Sequence, residues 1–308
     1  MSEPTDLELS IFRTICWFSV FSLPLSRFDI WKWLLRPARA YDMSEVDVVL
    51  DRSDWLRSRL TTHQGFWMLK QVSVQTSTQN QHRAFLDATR KFRTLRRASR
   101  FFASLPSVQS VAVANTLAWW HTGPESDIDL YIITKPKSIW SSRFFLVLPF
   151  LISGHRPHDV HHGLSQDPFC FSFFSTTNGL QLEDLQWNEK DYYLAYWIKS
   201  LVPIFDRSDS FSQLHTLNKW SDVLLPNARQ RRIHPFHRPD WHLYLPIQWS
   251  VFEPMFRWIQ RYRFPEGLRA LANKDSRVVI SDDRLKFHEN DRRQEFMQRF
   301  QDVYDRTI

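Results

Sequence analysis

Glycine is scarce in this chain, with six in 308 residues. So few permissive backbone positions exclude long flexible linkers. Cysteine is scarcer: Cys16 and Cys170 stand far apart, without zinc or redox spacing, which excludes a cysteine metal or redox motif and fits a reducing, cytoplasmic setting. Long apolar runs are missing too. The run Phe144 to Ile152 is too short for a bilayer span, which needs about 20 residues. It reads as a buried helix, with a membrane-lying segment as the other reading. Ile15 to Leu25 follows Glu3, Asp6 and Glu8, so the basic start of a signal peptide is absent. No repeat or low-complexity tract interrupts the chain.

What is abundant is aromatic. There are 14 Trp and 25 Phe, hydrophobic residues make up 43% and charged residues 24%, an ordinary balance for a globular protein with a large core. The length suits two or three domains. The formal charge of +7 suits an anionic partner, such as nucleotide phosphate or RNA, as well as mere solubility.

The segment Ser126-Asp127-Ile128-Asp129-Leu130-Tyr131-Ile132-Ile133-Thr134 carries the clearest chemical signal. In a strand, alternate side chains share a face, so Asp127 and Asp129 lie together while Ile128, Leu130 and Ile132 point the other way. Two carboxylates on one face can clamp a hard cation such as magnesium, and two-metal phosphoryl or nucleotidyl transfer uses such a platform. A strand whose polar face simply carries two acids is the plainer reading. Upstream, Val108 to Val113 reads as a strand, Ala114-Asn115-Thr116 as a turn, Leu117 to Trp120 as a short helix and His121 to Ser126 as a loop.

This order of strand, polar turn, short helix, loop and Asp-hydrophobic-Asp resembles the polymerase-β-type nucleotidyltransferase superfamily. The resemblance implies that Asp127 and Asp129 hold Mg2+, that one or two ions act, and that a nucleoside triphosphate is substrate. It makes Asn115, Thr116 and Ser126 nucleotide contacts. Asn115 and Thr116 replace the family's Gly-Ser turn; Asn tolerates left-handed backbone and Thr keeps a hydroxyl. The family's third carboxylate belongs on a later strand. Phe169 to Ser175 is the candidate strand and contains no acid, so Asp167, just before it, is the third catalytic candidate. The other reading is that this acid is missing.

The expected fold is α+β: a nucleotidyltransferase-like mixed sheet with helices over 106–206, a winged-helix-like domain over 1–74, a basic connecting helix over 75–105 and a C-terminal helical region over 207–308. In the first unit, helices are expected over Leu7 to Val20, Arg27 to Leu35 (capped by Ser26 with Asp29) and Ser44 to about Leu56. A hairpin then turns at His63-Gln64-Gly65. Glu45, Asp47, Asp51 and Asp54 on the third helix oppose a phosphate backbone, which favours packing or protein contact over DNA binding. The connecting helix has an apolar stripe of Phe85, Ala88, Phe92, Leu95 and Phe102. Its basic residues between Arg83 and Arg100 form either a solvated face or a nucleic-acid flank. Within the core, Arg143 is a cation that could face a phosphate pocket.

The cluster His155, His158, Asp159, His161 and His162 reads as a polar loop by default and as a zinc site in the sharper reading. Gln230 to His242 mixes basic and aromatic residues, as an RNA-stacking segment or a proline-stiffened connector would. The sequence therefore leads to a metal-dependent nucleotidyltransferase that moves a nucleoside monophosphate to an acceptor: small molecule, RNA or protein. The alternative is a catalytically degenerate relative that binds nucleic acid or protein.

Overall fold

The computed structural model describes residues 3–71, 74–153, 167–233 and 250–308, with side chains of 74–78 left aside. The His155–His162 cluster and residues 234–242 of the basic aromatic segment lie outside the described residues. No helix among the described residues is long and apolar enough to cross a membrane.

The chain begins with α1 (Asp6–Ser19), whose capping box is Thr5 with Glu8. β1 (Leu25–Ser26) leads into α2 (Arg27–Lys32), and Ser26 and Asp29 close the expected capping box. The third expected helix is two helices, α3 (Met43–Arg52) and α4 (Asp54–Arg59). The Asp42–Glu45 box caps α3 in place of Ser44 and Asp47. Ser53 has extended backbone and its hydroxyl caps α4, so the helical ladder breaks there. β2 (Leu60–His63) and β3 (Phe66–Leu69) form the expected hairpin. Gln64 and Gly65 both have positive φ, the tight turn that matches strand twist. β1 adds on the far side of β3. The acids of α3 are largely met within the chain: Arg27 pairs with Asp47 and Asp51, and Arg39 with Glu45.

The long helix α5 (Val74–Ser104) follows. Ala88, Phe92, Leu95 and Phe102 are buried as the stripe predicts. Phe85 is 48% exposed and stacks on Trp120. Lys91, grouped by sequence with the basic face, is wholly buried.

A six-stranded mixed sheet comes next, which makes the class α+β. Its first members are β4 (Val108–Val113) and β5 (Ile128–Thr134), with the four-residue α6 (Asn115–Ala118) between them. The order continues as α7 (Ile139–Ile152), β6 (Phe169–Thr176), α8 (Tyr192–Ser200) and β7 (Val202–Asp206). α7 runs through Pro149 to its end three residues later. β7 is an edge strand, where Pro203 and its missing N–H are tolerated.

Beyond residue 206 the chain is not only helical. After α9 (Ser210–Leu217), α10 (Trp220–Leu224), α11 (Glu253–Arg263) and α12 (Glu266–Leu271) come β8 (Val278–Ile280) and β9 (Arg284–Phe287), then α13 (Arg293–Thr307). The sheet order is β7-β4-β5-β6-β9-β8; β8 falls where Val278 to Asp283 reads as a short strand or turn, and β9 adds a strand that the helical expectation for 207–308 did not include. The run Arg284 to Phe287 alternates charged and apolar residues as a strand does, but it is only four residues long and sits in a dense polar cluster that carries no clear element signal. Its charges are met locally, Arg284 by Asp184 and Lys286 by the carbonyls of Ser276 and Arg277.

Alternation sorts the sheet. Ile128, Leu130 and Ile132 join the core with residues of α5 and α7. Tyr131 and Ile133 join a second core with Trp197 and Ile198 of α8 and Phe211 of α9. The N-terminal core is continuous with Tyr196, Leu225 and Phe300, so residues 1–74 share their apolar centre with later elements.

Gly179 sits in the turn after β6. A Cβ there would lie under 3.0 Å from the Asp283 carbonyl oxygen, a backbone atom that cannot swing aside. Gly179→Ala should cost about 1–3 kcal/mol in a denaturant titration; an unchanged midpoint would contradict this close approach.

Candidate active site

The loop before the carboxylates is held from beneath. Buried Lys91 donates to Asp87 at 2.7 Å and to the Gly123 carbonyl, while Thr122 Oγ1 donates to Asp87 at 2.8 Å. Ser126 closes the turn: its hydroxyl accepts from Gly123 N at 3.0 Å, and its own N–H donates to the Gly123 carbonyl. This gives Ser126 a local role in presenting Asp127.

Asp127 and Asp129 lie partly buried at the start of β5. Burial raises the Asp127 carboxyl, and the Lys91 charge partly offsets it. Burial pushes Asp129 up to about 6. Hydrogen bonds from Asn115 and Cys170 favour its ionised form, and the Asp127 charge opposes it. The two carboxylates thus feel one another, with Asp127 one residue before β5 and Asp129 its second residue.

Asn115 takes the left-handed conformation at φ 52°. This is the conformational freedom that the sequence reading required of a residue replacing glycine. Its neighbour Ala114 donates N–H to the Asp129 carbonyl at 3.0 Å, which locks the turn beside the carboxylates. Tyr193 OH donates to Asn115 Oδ1 at 3.4 Å, and burial, with the Asp129 charge second, raises the Tyr193 phenol. Thr116 lies one residue on and lines the adjoining cavity.

Asp167 is placed differently. It is buried before β6 and accepts from Arg90 at 2.6 Å and Thr94 at 3.4 Å. Both partners belong to α5, the helix over the opposite sheet face from Tyr131. The residue paired in register with Asp129 is Cys170, whose thiol burial and the nearby acids push up to about 12. Arg143 also turns elsewhere, donating to Gln260 at 2.7 Å and lying 4.7 Å over the Phe287 ring.

Two cavities meet at Asn115. One, of about 150 Å³, has Trp17, Phe21, Trp119 and Tyr196 among its walls. The other, of about 210 Å³, has Phe173, Lys286, His288, Arg292 and Arg293. Asn115, Tyr193, Trp197 and Phe296 line both. Sequence reasoning missed Cys170 and Tyr193. Cys170 had a signal, as the second residue of the strand on which an acid was sought. Tyr193 had none, because its approach to Asn115 depends on how α8 packs.

Among the described residues, no three His, Cys, Asp or Glu side chains gather as a metal-binding group. Magnesium is commonly held by one or two carboxylates together with substrate phosphates, and the hard oxygens of Asp127 and Asp129 fit that habit. Comparison of the chain with protein-family models, with curated proteins and with solved structures finds no match in any of the three.

Proposed function

We propose that this protein is a magnesium-dependent nucleotidyltransferase acting on a nucleoside triphosphate. The observation that carries the reading is the Asp127–Asp129 pair at the start of β5, beside the left-handed turn at Asn115. Asp127 and Asp129 would hold Mg2+. When bound, the ion supplies charge neutralisation at the phosphates and activation of the acceptor oxygen.

The chain's own residues do the rest. Buried Lys91 holds the loop that sets Asp127 in place. Asn115 orients Asp129, and Tyr193 orients Asn115. The paired cavities adjoin this region through Asn115, which lines both. The acceptor is a small molecule, an RNA end or a protein hydroxyl. The exposed Arg83, Arg93 and Arg97 of α5 would suit a nucleic-acid acceptor.

A second reading has a specific observation behind it. Cys170 stands beside Asp129 where a third carboxylate would serve, and Asp167 is tied to Arg90. Both favour a catalytically degenerate protein that binds nucleic acid or protein. Thermal unfolding with each nucleoside triphosphate, with and without magnesium, tests for binding, since a ligand that prefers the folded state raises its stability. At a hundredfold excess over Kd the stabilisation should be about 2.7 kcal/mol. Stabilisation that needs both ligand and magnesium, together with pyrophosphate release, supports the enzyme. Binding without pyrophosphate release favours the degenerate reading, and no stabilisation by any triphosphate refutes the nucleotide site.

A further inference from the structure

The two cavities that meet at Asn115 differ in character. The smaller is walled mainly by rings: Trp17, Phe21, Trp119 and Tyr196, with Phe296 at the partition. An apolar cavity of about 150 Å³ holds one benzene-sized ring. Thr116, His121 and Ser200 add a few polar groups to this wall, enough to meet the edge of a heterocycle. Phe21 packs edgewise against Phe296 and Tyr193 stacks on it, at 5.0 Å and 5.6 Å between centroids, and these contacts fix that partition.

The larger cavity is polar and basic at one side. Arg293 is met there by Asp191 and Asp291, and Arg292 by Glu295. Lys286 differs, since its ammonium donates to the carbonyls of Ser276 and Arg277. It is 7% exposed, and burial lowers it to about 8, so a nearby anion would favour its charge. Lys286 also pairs in register with Phe173, which pairs with Tyr131 two residues beyond Asp129. Two strand spacings, roughly 10 Å, therefore separate the Lys286 strand from the strand bearing the carboxylates.

A ring-sized apolar chamber and a chamber with a buried ammonium share one wall, and that wall includes the residue bonded to Asp129. A nucleoside triphosphate has the same division into ring and polyanion. We propose that the double chamber selects a pyrimidine nucleoside triphosphate, with its single ring among Trp17, Trp119 and Tyr196 and its polyphosphate directed past Asn115 toward Lys286. This inference rests on the reading of Asp127 and Asp129 as a magnesium site. A purine carries a second fused ring, which more than fills about 150 Å³ and would extend beyond the ring-walled part of the smaller chamber.

Calorimetric titration of the full chain with CTP, UTP, ATP and GTP, each with and without magnesium, tests the inference. CTP and UTP should bind at least tenfold more tightly than ATP and GTP in the presence of magnesium. Leu23→Trp places a ring into the smaller chamber from a partly exposed wall position and should weaken CTP binding at least tenfold. Phe296→Ala removes the partition and should narrow the pyrimidine preference at least threefold. Equal affinity for all four triphosphates, or a preference for ATP or GTP, overturns the pyrimidine assignment and leaves the magnesium site standing. Binding of none of the four overturns both. Full CTP affinity in a folded Leu23→Trp protein would place the ring outside this chamber.

Discussion

Asp129→Asn should abolish magnesium-dependent nucleotide binding while making the ligand-free protein more stable. Asp127→Asn should abolish the binding too. Loss of one carboxylate from a two-carboxylate site removes half of its protein charge, so affinity should fall at least a hundredfold, about 2.7 kcal/mol. The stability gain follows from the position of Asp129. Its carboxyl is raised from 3.8 to about 6, mainly by burial, so the ionised form is disfavoured in the folded state. Below the unfolded value both states are protonated and no cost arises. As pH climbs from 3.8 to about 6 the unfolded chain ionises first, so stability falls through that window and levels off above it. The cost at neutral pH is on the order of 1–3 kcal/mol. An uncharged Asn escapes it, and the variant should lack this part of the acid-range slope. Denaturant titrations from pH 4 to 7 would show the two curves converging at the acid end. Magnesium-dependent binding that survives both substitutions would refute the site.

Asp191→Ala should be among the most destabilising single changes in the chain, at about 3–5 kcal/mol. The Asp191 side chain is fully buried and that of Arg293 is 8% exposed, with 2.6 Å between them. Asp191 also caps α8 through Leu194 N at 2.9 Å. Arg293 donates further to the Leu185 carbonyl at 2.8 Å and to Ser276 Oγ at 2.6 Å. Removing the carboxylate leaves a buried guanidinium with only part of its compensation, from Asp291. Asp191→Asn keeps a cap and loses the charge, so it separates the two contributions. Asp191→Ala combined with Arg293→Met should cost less than the sum of the single changes, because the second removes the stranded charge. A loss below about 1 kcal/mol for Asp191→Ala, measured by denaturant titration, would show that this pair does not hold α13 to the core.

Local signals were legible wherever they were strong within a few residues. The Ser26–Asp29 box, the Gln64-Gly65 turn and the alternation from Ile128 to Ile133 each act through neighbours in the chain. The α+β class could be read from the succession of such segments. What sequence could not supply was long-range. The six-stranded sheet closes through β9, which pairs with β6 more than a hundred residues earlier. Lys91 looked like one more cation on a basic face, yet it is buried under the loop that carries Asp127. The candidate site divides in the same way. The left-handed turn at Asn115 followed from residue type. The commitment of Asp167 to Arg90, and the place of Cys170 beside Asp129, required the register of β5 on β6.

The late position of β8 and β9 has a consequence for biosynthesis. While the chain is still being made, β6 waits as an open hydrogen-bonding edge until residues 278–287 have cleared the ribosome. Phe169, Phe171, Phe173 and Phe174 occupy that waiting strand, and an unpaired aromatic edge invites pairing with neighbouring nascent chains. Translation speed and chaperone supply over the final third of the message would then govern how much soluble protein a cell obtains.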